Sequence, residues 1–264
     1  MINEIFSYYF KEDGKIIKEK LVDHIKKAME FTNRLEDSKI IRYVSKLCKH
    51  NDFMNLVKFS IIFHDVGKIF YQKNLVIKES QEFISFKGHE YFSTYIFEEF
   101  RNQLINQNIE DIKKYELQQA STFAILYHHH AMNTKLRYPK MNKKFQRSVY
   151  AGLSSLTSLK ETLRPWLKKS EFNAFENVMD KIKSSSSKYI PISIQREVNE
   201  INKNLWKTYL IYPRFKKLCF LTLSTLLVAD YLAAQKIRGV TKSQFKRVLT
   251  EFYNFYLVSS SFLT

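Results

Sequence analysis

The stretch Met54-Asn55-Leu56-Val57-Lys58-Phe59-Ser60-Ile61-Ile62-Phe63-His64-Asp65-Val66-Gly67-Lys68 decides how the chain is read. Its first part is a largely apolar run of helical length. Val57 and Ile61 stand seven and three positions before His64, so the face carrying His64 is apolar. An imidazole and a carboxylate side by side at the buried end of a helix need partners, because burying either one unpaired is costly. For a single such pair the plainer reading, a core histidine followed by an aspartate capping the next turn, is the favoured one. The other histidines decide the matter, because they recur in the same setting.

Upstream, residues from about Lys15 to Leu35 are predicted to form a helix with Ile17, Leu21, Ile25, Ala28 and Phe31 at helical spacing, and His24 belongs to that stripe. A second helix is expected from about Ser38 to Lys49 and a third from Asp52 to Asp65. Downstream, Tyr71 to Lys87 reads as irregular, with an alternation in Glu82-Phe83-Ile84-Ser85-Phe86 that suits a short strand or an extended loop. Gly88-His89-Glu90 opens the next helix, which reaches about Leu104, with Ser93 one turn beyond His89. A helix from about Asp111 to His130 runs Phe123-Ala124-Ile125-Leu126-Tyr127 straight into His128-His129-His130. Helices at about Ser193 to Ile211 and Phe215 to Ile237 follow, and Lys242 to Leu257 is expected to be an amphipathic cover. Asp230 shares its face with Leu223, Leu226, Leu227, Ala233 and Ala234, so its carboxylate has to be paired or metal-bound. Only His50, in a polar turn, stands clearly outside this pattern.

With 5 Gly and 4 Pro in 264 residues, and 45% apolar residues, the chain is expected to be all-α and well able to fill a core. It is read as one domain over residues 1–264, with a flexible loop at about 183–192 around Ser184-Ser185-Ser186-Ser187 and the helices of 193–257 packed on the bundle. A net charge of +17 points to a polyanion, nucleic acid first and an anionic membrane surface second. No acidic residue occurs from Leu117 to Lys160, where Lys135, Arg137, Lys140, Lys143, Lys144 and Arg147 are interleaved with Tyr138 and Phe145. Basic groups can neutralise phosphates while aromatic rings stack on unpaired bases; a solvated basic loop is the plainer alternative. Two cysteines, Cys48 and Cys219, make neither a disulfide framework nor a zinc spacing. No signal peptide is read at the N-terminus, and the apolar run Leu218 to Ala234 is short for a membrane span. A soluble cytoplasmic protein with no membrane partner is expected.

His24, His64, Asp65, His89, His128, His129 and Asp230 together offer nitrogen and oxygen ligands on several helices. That set suits first-row ions such as Mn, Fe, Co, Ni or Zn better than a lone Mg. Seven groups exceed what one ion needs with room left for water and substrate, so two ions are expected, with Asp65 placed to bridge them. Such a pair suits phosphoester hydrolysis. Lys68, three residues beyond Asp65, would come near the site as an electrophile for phosphate charge.

The order His…His-Asp…His…His-His…Asp resembles the HD-domain phosphohydrolase superfamily, an all-helical family that uses one or two metals. More narrowly, His64-Asp65-Val66-Gly67-Lys68, Gly88-His89-Glu90 with Ser93, and Leu126-Tyr127-His128-His129 resemble the HD nuclease of type I CRISPR interference. The resemblance spans roughly Lys15 to Asp230. It implies an HD helical bundle with a dinuclear centre of Mn, Mg, Ni, Co or Fe. It also puts metal ligands at His24, His64, Asp65, His89, His128, His129 and Asp230, and the family's catalytic lysine at Lys68. The histidine pair is either His128-His129 or His129-His130; Tyr127 and Met132 match the family's flanks in the first register. The five glycines offer no Walker A spacing, which suits a nuclease subunit working beside a separate superfamily-2 helicase and a CRISPR effector complex. The expected activity is cleavage of DNA, single strands by preference and RNA not excluded. A phosphohydrolase acting on nucleotides is the alternative, and a non-catalytic nucleic-acid-binding adaptor the second.

Overall fold

The computed structural model describes residues 4–36, 38–107, 115–129, 137, 143–184, 190–238 and 251. The chain opens with a hairpin, β1 (Phe6–Glu12) and β2 (Lys15–Lys20), and continues through α1 (Leu21–Glu30), α2 (Lys39–Val44) and α3 (His50–Phe63). A 3-10 segment, Val66–Tyr71, leads into a second hairpin, β3 (Leu75–Lys78) and β4 (Gln81–Ile84). There follow α4 (His89–Asn106), α5 (Tyr115–Tyr127), α6 (Lys143–Ser154), α7 (Leu156–Leu163), α8 (Lys169–Ser184), α9 (Ile190–Ile211) and α10 (Pro213–Arg238). The two hairpins join as one antiparallel sheet in the order β2-β1-β4-β3. The expected all-α class thus holds, with a small sheet at one side.

Helix α3 is apolar nearly all round, which suits a central position. Phe53, Leu56, Val57, Phe59, Ile61, Ile62 and Phe63 are all buried, and α1, α4, α5 and α10 pack against it. Phe63 stacks on Phe100 of α4 at 4.8 Å between ring centres and meets Phe175 of α8 edge-on at 5.8 Å. These contacts fix the end of α3, and with it His64 and Asp65.

The 3-10 segment is wholly buried and held from two sides. On the α4 side, a Cβ on Gly67 would lie 2.2 Å from the His89 carbonyl oxygen and 2.7 Å from the Ser93 amide nitrogen. Only a bare α-carbon allows that approach. The Gly67 N–H donates to Ser93 Oγ at 2.9 Å, which gives the serine one turn past His89 its structural reason. On the α6 side, Ser148 Oγ donates to the Phe70 carbonyl at 2.7 Å, and Gly152 lies against the Ile69 and Phe70 backbone.

Several expectations need correction. Residues Lys15 to Lys20 form a strand, so the first helix starts at Leu21 and Ile17 is not part of its stripe. The cause is the Asp13-Gly14 turn: both residues have positive φ (46° and 77°), the backbone of a two-residue hairpin loop. The second helix ends at Val44, short of Lys49, and the third runs from His50 to Phe63 rather than from Asp52 to Asp65. The alternation near Phe83 is strand β4, within a hairpin. Of the loop expected at 183–192, residues 183–184 end α8 and 190–192 begin α9, while 185–189 lie outside the described residues. The helix expected at Lys242 to Leu257 lies outside them too, Glu251 apart. Phe145 is not an exposed stacking ring. It is buried at 5.1 Å from Tyr71 and 5.8 Å from Phe92. Over Pro213–Gln235, α10 is long and apolar enough by composition to cross a membrane, contrary to the shorter run read from sequence. In the fold it packs on α1, α3 and α5.

Gly67→Ala is expected to lower stability by roughly 1–3 kcal/mol, because the methyl meets backbone that cannot yield. Urea unfolding of the variant checks this, and an unmoved midpoint would mean that α4 is not packed on the segment as described.

Candidate metal centre

Four imidazoles converge on Asp65, and helix ends put three of them there. The last carbonyls of a helix lack an intrahelical N–H partner. At the end of α3 the His64 ring takes one, Nδ1 donating to the Ile61 carbonyl at 2.8 Å. At the end of α5 His128 does the same, Nδ1 donating to the Ile125 carbonyl at 2.7 Å. His89, in the first turn of α4, donates from Nδ1 to the Phe86 carbonyl at 2.7 Å. The left-handed turn at Gly88 (φ 93°), open to glycine, delivers it there. A carbonyl can only accept, so Nδ1 carries the proton in each ring and a neutral ring presents a bare Nε2 lone pair to the interior.

Those Nε2 atoms meet the carboxylates. Asp65 Oδ1 lies 2.9 Å from His89 Nε2 and 4.0 Å from His128 Nε2. Its Oδ2 lies 3.6 Å from His64 Nε2 and 3.7 Å from His24 Nε2. Asp230 Oδ1, on α10, lies 3.1 Å from His24 Nε2 and 3.8 Å from His64 Nε2. The Nε2 atoms of His24, His64, His89 and His128 are buried without a hydrogen-bond partner. Acceptor facing acceptor in a buried space is costly; a cation between them, proton or metal, resolves it. The residues therefore fit a divalent ion.

Two ligand sets result. His89, His128 and His129 form one and His24, His64 and Asp230 the other, each with its ligand atoms within 4.8 Å of one another. Asp65 directs one oxygen to each set. The structure thus brings all seven sequence-predicted ligands together. His130, and with it the second register, lies outside the described residues.

Electrostatics bind the centre tightly. Burial opposes charge on Asp65, yet Lys68 and the imidazoles hold it well below the usual carboxylate range. Asp230 is likewise held low, by His24 and His64 against burial. Burial would lower His24, but Asp230 and Glu19 outweigh it and raise it to about 9. Burial, with His64 and His89 nearby, lowers His128 to about 3, and burial drives His129 down as well. About a quarter of the Asp230 side chain is exposed and His129 is half-buried, whereas the other five ligands are enclosed. Access is from the Asp230–His129 side.

Lys68 is buried, not a surface lysine. Its Nζ donates to Asp65 Oδ2 at 2.6 Å and to the Ser7 carbonyl at 3.0 Å, and it lies 5.2 Å from the centre of the Phe86 ring. Three residues around the site, Ser7, Glu19 and Glu90, are not among the site residues the sequence points to. Ser7 of β1 also donates from Oγ to Glu19 Oε2 at 3.1 Å, and Glu19 Oε1 lies 3.3 Å from His24 Nδ1. Glu90, buried next to His89, takes a two-pronged bond from Arg137: Nε to Oε1 at 2.5 Å and a terminal nitrogen to Oε2 at 3.1 Å. Arg137 was expected to contact nucleic acid; here its guanidinium is committed to Glu90, behind the metal ligands. Lys143 and Arg147 are exposed along α6. Lys135 and Lys140 lie outside the described residues, as does the side chain of Lys144.

A model of the HD domain matches residues 21–158, a little over half of the chain. Neither a curated protein nor a solved structure matches it. Six of the seven ligands fall inside the matched residues, while Asp230 is brought in by α10 from beyond them.

Because His24 is protonated at neutral pH without metal and must lose that proton to ligate, metal uptake is expected to release a proton. Titrating Mn2+ into chelator-treated protein at pH 7.5 in buffers of different ionisation enthalpy should show close to one proton released, fading as the pH rises through about 9. Heats independent of buffer at pH 7.5 would contradict it. Glu19→Gln, which weakens the hold on His24, is expected to reduce metal affinity by about 10–100-fold; unchanged affinity by the same calorimetry would remove Glu19 from the centre.

Proposed function

The chain belongs to the HD-domain family, whose members are in general metal-dependent phosphohydrolases, and from that premise we propose that it is a two-metal nuclease. Its substrate is DNA, single-stranded by preference, with RNA also within reach. The observation that carries the dinuclear reading is Asp65, one oxygen toward each ligand set. Bound divalent ions, Mn, Ni, Co, Fe or Mg, would supply Lewis acidity and a nucleophile from water near neutral pH.

The protein's own groups have distinct roles in this reading. Asp65 spaces the two sets, and His64, His89 and His128 hold their lone pairs inward through their carbonyl bonds. Lys68 fixes the Asp65 carboxylate and neutralises part of the charge gathered there; a turn of its ammonium toward a substrate phosphate would make it the electrophile. The acid-free span from Leu117 to Lys160, with Lys143 and Arg147 exposed on α6, supports a polymeric anion as substrate. By its likeness in motif order, the chain acts in the cytoplasm in CRISPR interference beside a separate helicase subunit and effector complex. A second reading, hydrolysis of nucleotides, draws support from the depth of the site, where His24, His64, Asp65, His89 and His128 are each 3% exposed or less.

Circular single-stranded DNA incubated with the protein and Mn2+ is expected to be cut, and Asp65→Ala should lose at least about a thousandfold in rate, since both ligand sets lose their shared oxygen donor. Turnover of nucleotides with the circle left intact would replace the nuclease by the second reading. Metal bound with neither substrate touched would leave a nucleic-acid-binding adaptor.

A further inference from the structure

A groove of 350 Å3 lies where α2 meets the end of α9 and the start of α10. Three aromatic rings line it, Tyr43, Tyr209 and Phe220, together with Pro213, Lys216 and Lys217. No carboxylate lines it among the described residues. Phe220 is 61% exposed and Tyr43 44% exposed, although both are large apolar rings. Tyr209 is fixed from behind, stacked on Phe123 with only 2° between the ring planes, and Lys216 Nζ sits 5.3 Å from the centre of its ring.

We propose that this groove is a second binding surface for single-stranded nucleic acid, with bases stacking on the exposed rings of Tyr43 and Phe220, Tyr209 forming the wall behind them, and phosphates facing Lys216 and Lys217. Aromatic platforms beside cations, in a protein of net charge +17, are the composition such strands need. Charge complementarity selects the occupant, since among the described residues the ionised groups lining the groove are cationic. Position supports it as well. Phe220 lies ten residues before Asp230 on the same helix, or about 15 Å along the axis. A strand held at the groove can therefore extend along α10 to the exposed edge of the metal centre. The proposal deepens the nuclease reading and rests on it for the path of the strand, while binding at the groove does not require cleavage.

The test is fluorescence anisotropy of a labelled 15-mer oligothymidylate with full-length protein in EDTA, so that no cutting occurs. Tyr43→Ala/Phe220→Ala is expected to weaken binding about thirtyfold, the low end of the stacking range for two rings. Lys216→Gln/Lys217→Gln should weaken it and reduce the salt slope by about 1.4, the share of two phosphate contacts on a single strand. Thermal melting confirms that both variants fold, and hydrolysis of bis(p-nitrophenyl) phosphate with Mn2+, which needs only the metal centre, should match that of the wild type. Wild-type affinity and salt slope in both variants would overturn the groove and leave the nuclease standing. Groove-dependent binding with no cleavage of any DNA would do the reverse. A wild-type dimer in sedimentation that Phe220→Ala converts to monomer would also overturn it, by assigning the rings to a second copy of the chain.

Discussion

A carboxylate with two oxygens, each turned to a different set of imidazoles, is the constraint on which the rest of the molecule depends. Asp65 cannot lie at the centre of that arrangement unless four helices end or pass within a few ångströms of it, and every unusual local feature serves that convergence. The 3-10 segment after Asp65 is pressed against α4 at Gly67 and against α6 at Gly152, so the carboxylate has little freedom to swing. Its ammonium partner Lys68 is pinned in turn by the Ser7 carbonyl. Gathering so many buried polar groups costs stability. The aromatic cluster around Phe63 and the apolar flanks of α3 supply the burial that offsets it.

The three carbonyl-bound histidines show how an unmet need of the backbone becomes part of a site. A helix must end with unpaired carbonyls, and a histidine at that end can satisfy one with Nδ1 while leaving Nε2 free. His64 and His128 both do this, three residues after the carbonyl they use. The same bond caps the helix, fixes the ring and sets the tautomer. The outer layer behind them is of another kind: Glu19 behind His24 and Glu90 with Arg137 beside His89 are ionic, and they tie the centre to β2 and to the segment after α5.

Much of this was legible in the residues. The ligand set followed from histidines and aspartates recurring on apolar faces, and α3, α4, α5, α9 and α10 followed from long periodic runs with few breakers, whereas α6, α7 and α8 had no counterpart in that reading. What the periodicity concealed was the first hairpin. Lys15-Ile16-Ile17-Lys18-Glu19-Lys20 continues the helical spacing of α1 by coincidence, and the stripe from Ile17 to Phe31 hides a change of element at Leu21. Asp13-Gly14 carried the contrary signal, a two-residue turn between Glu12 and Lys15. Reading that turn would have put Glu19 on a strand, opposite Tyr8, while the register shift between Phe6 and Tyr8 that brings Ser7 to it has no signal in the turn. Arg137 shows a different limit: composition identifies cations, but only tertiary structure shows that this one is bound to Glu90.

The spacing of the ligands along the chain also orders their assembly. His89, His128 and His129 complete one set within the first half of the polypeptide, whereas the other set waits for Asp230 about a hundred residues later. Synthesis from the N-terminus therefore delivers the three-histidine set while α10 is still inside or before the ribosome. The other half exists only once α10 has docked against α5, α1 and α3. Until then Asp65 faces one complete set and, at its other oxygen, His24 and His64 without the carboxylate that completes theirs.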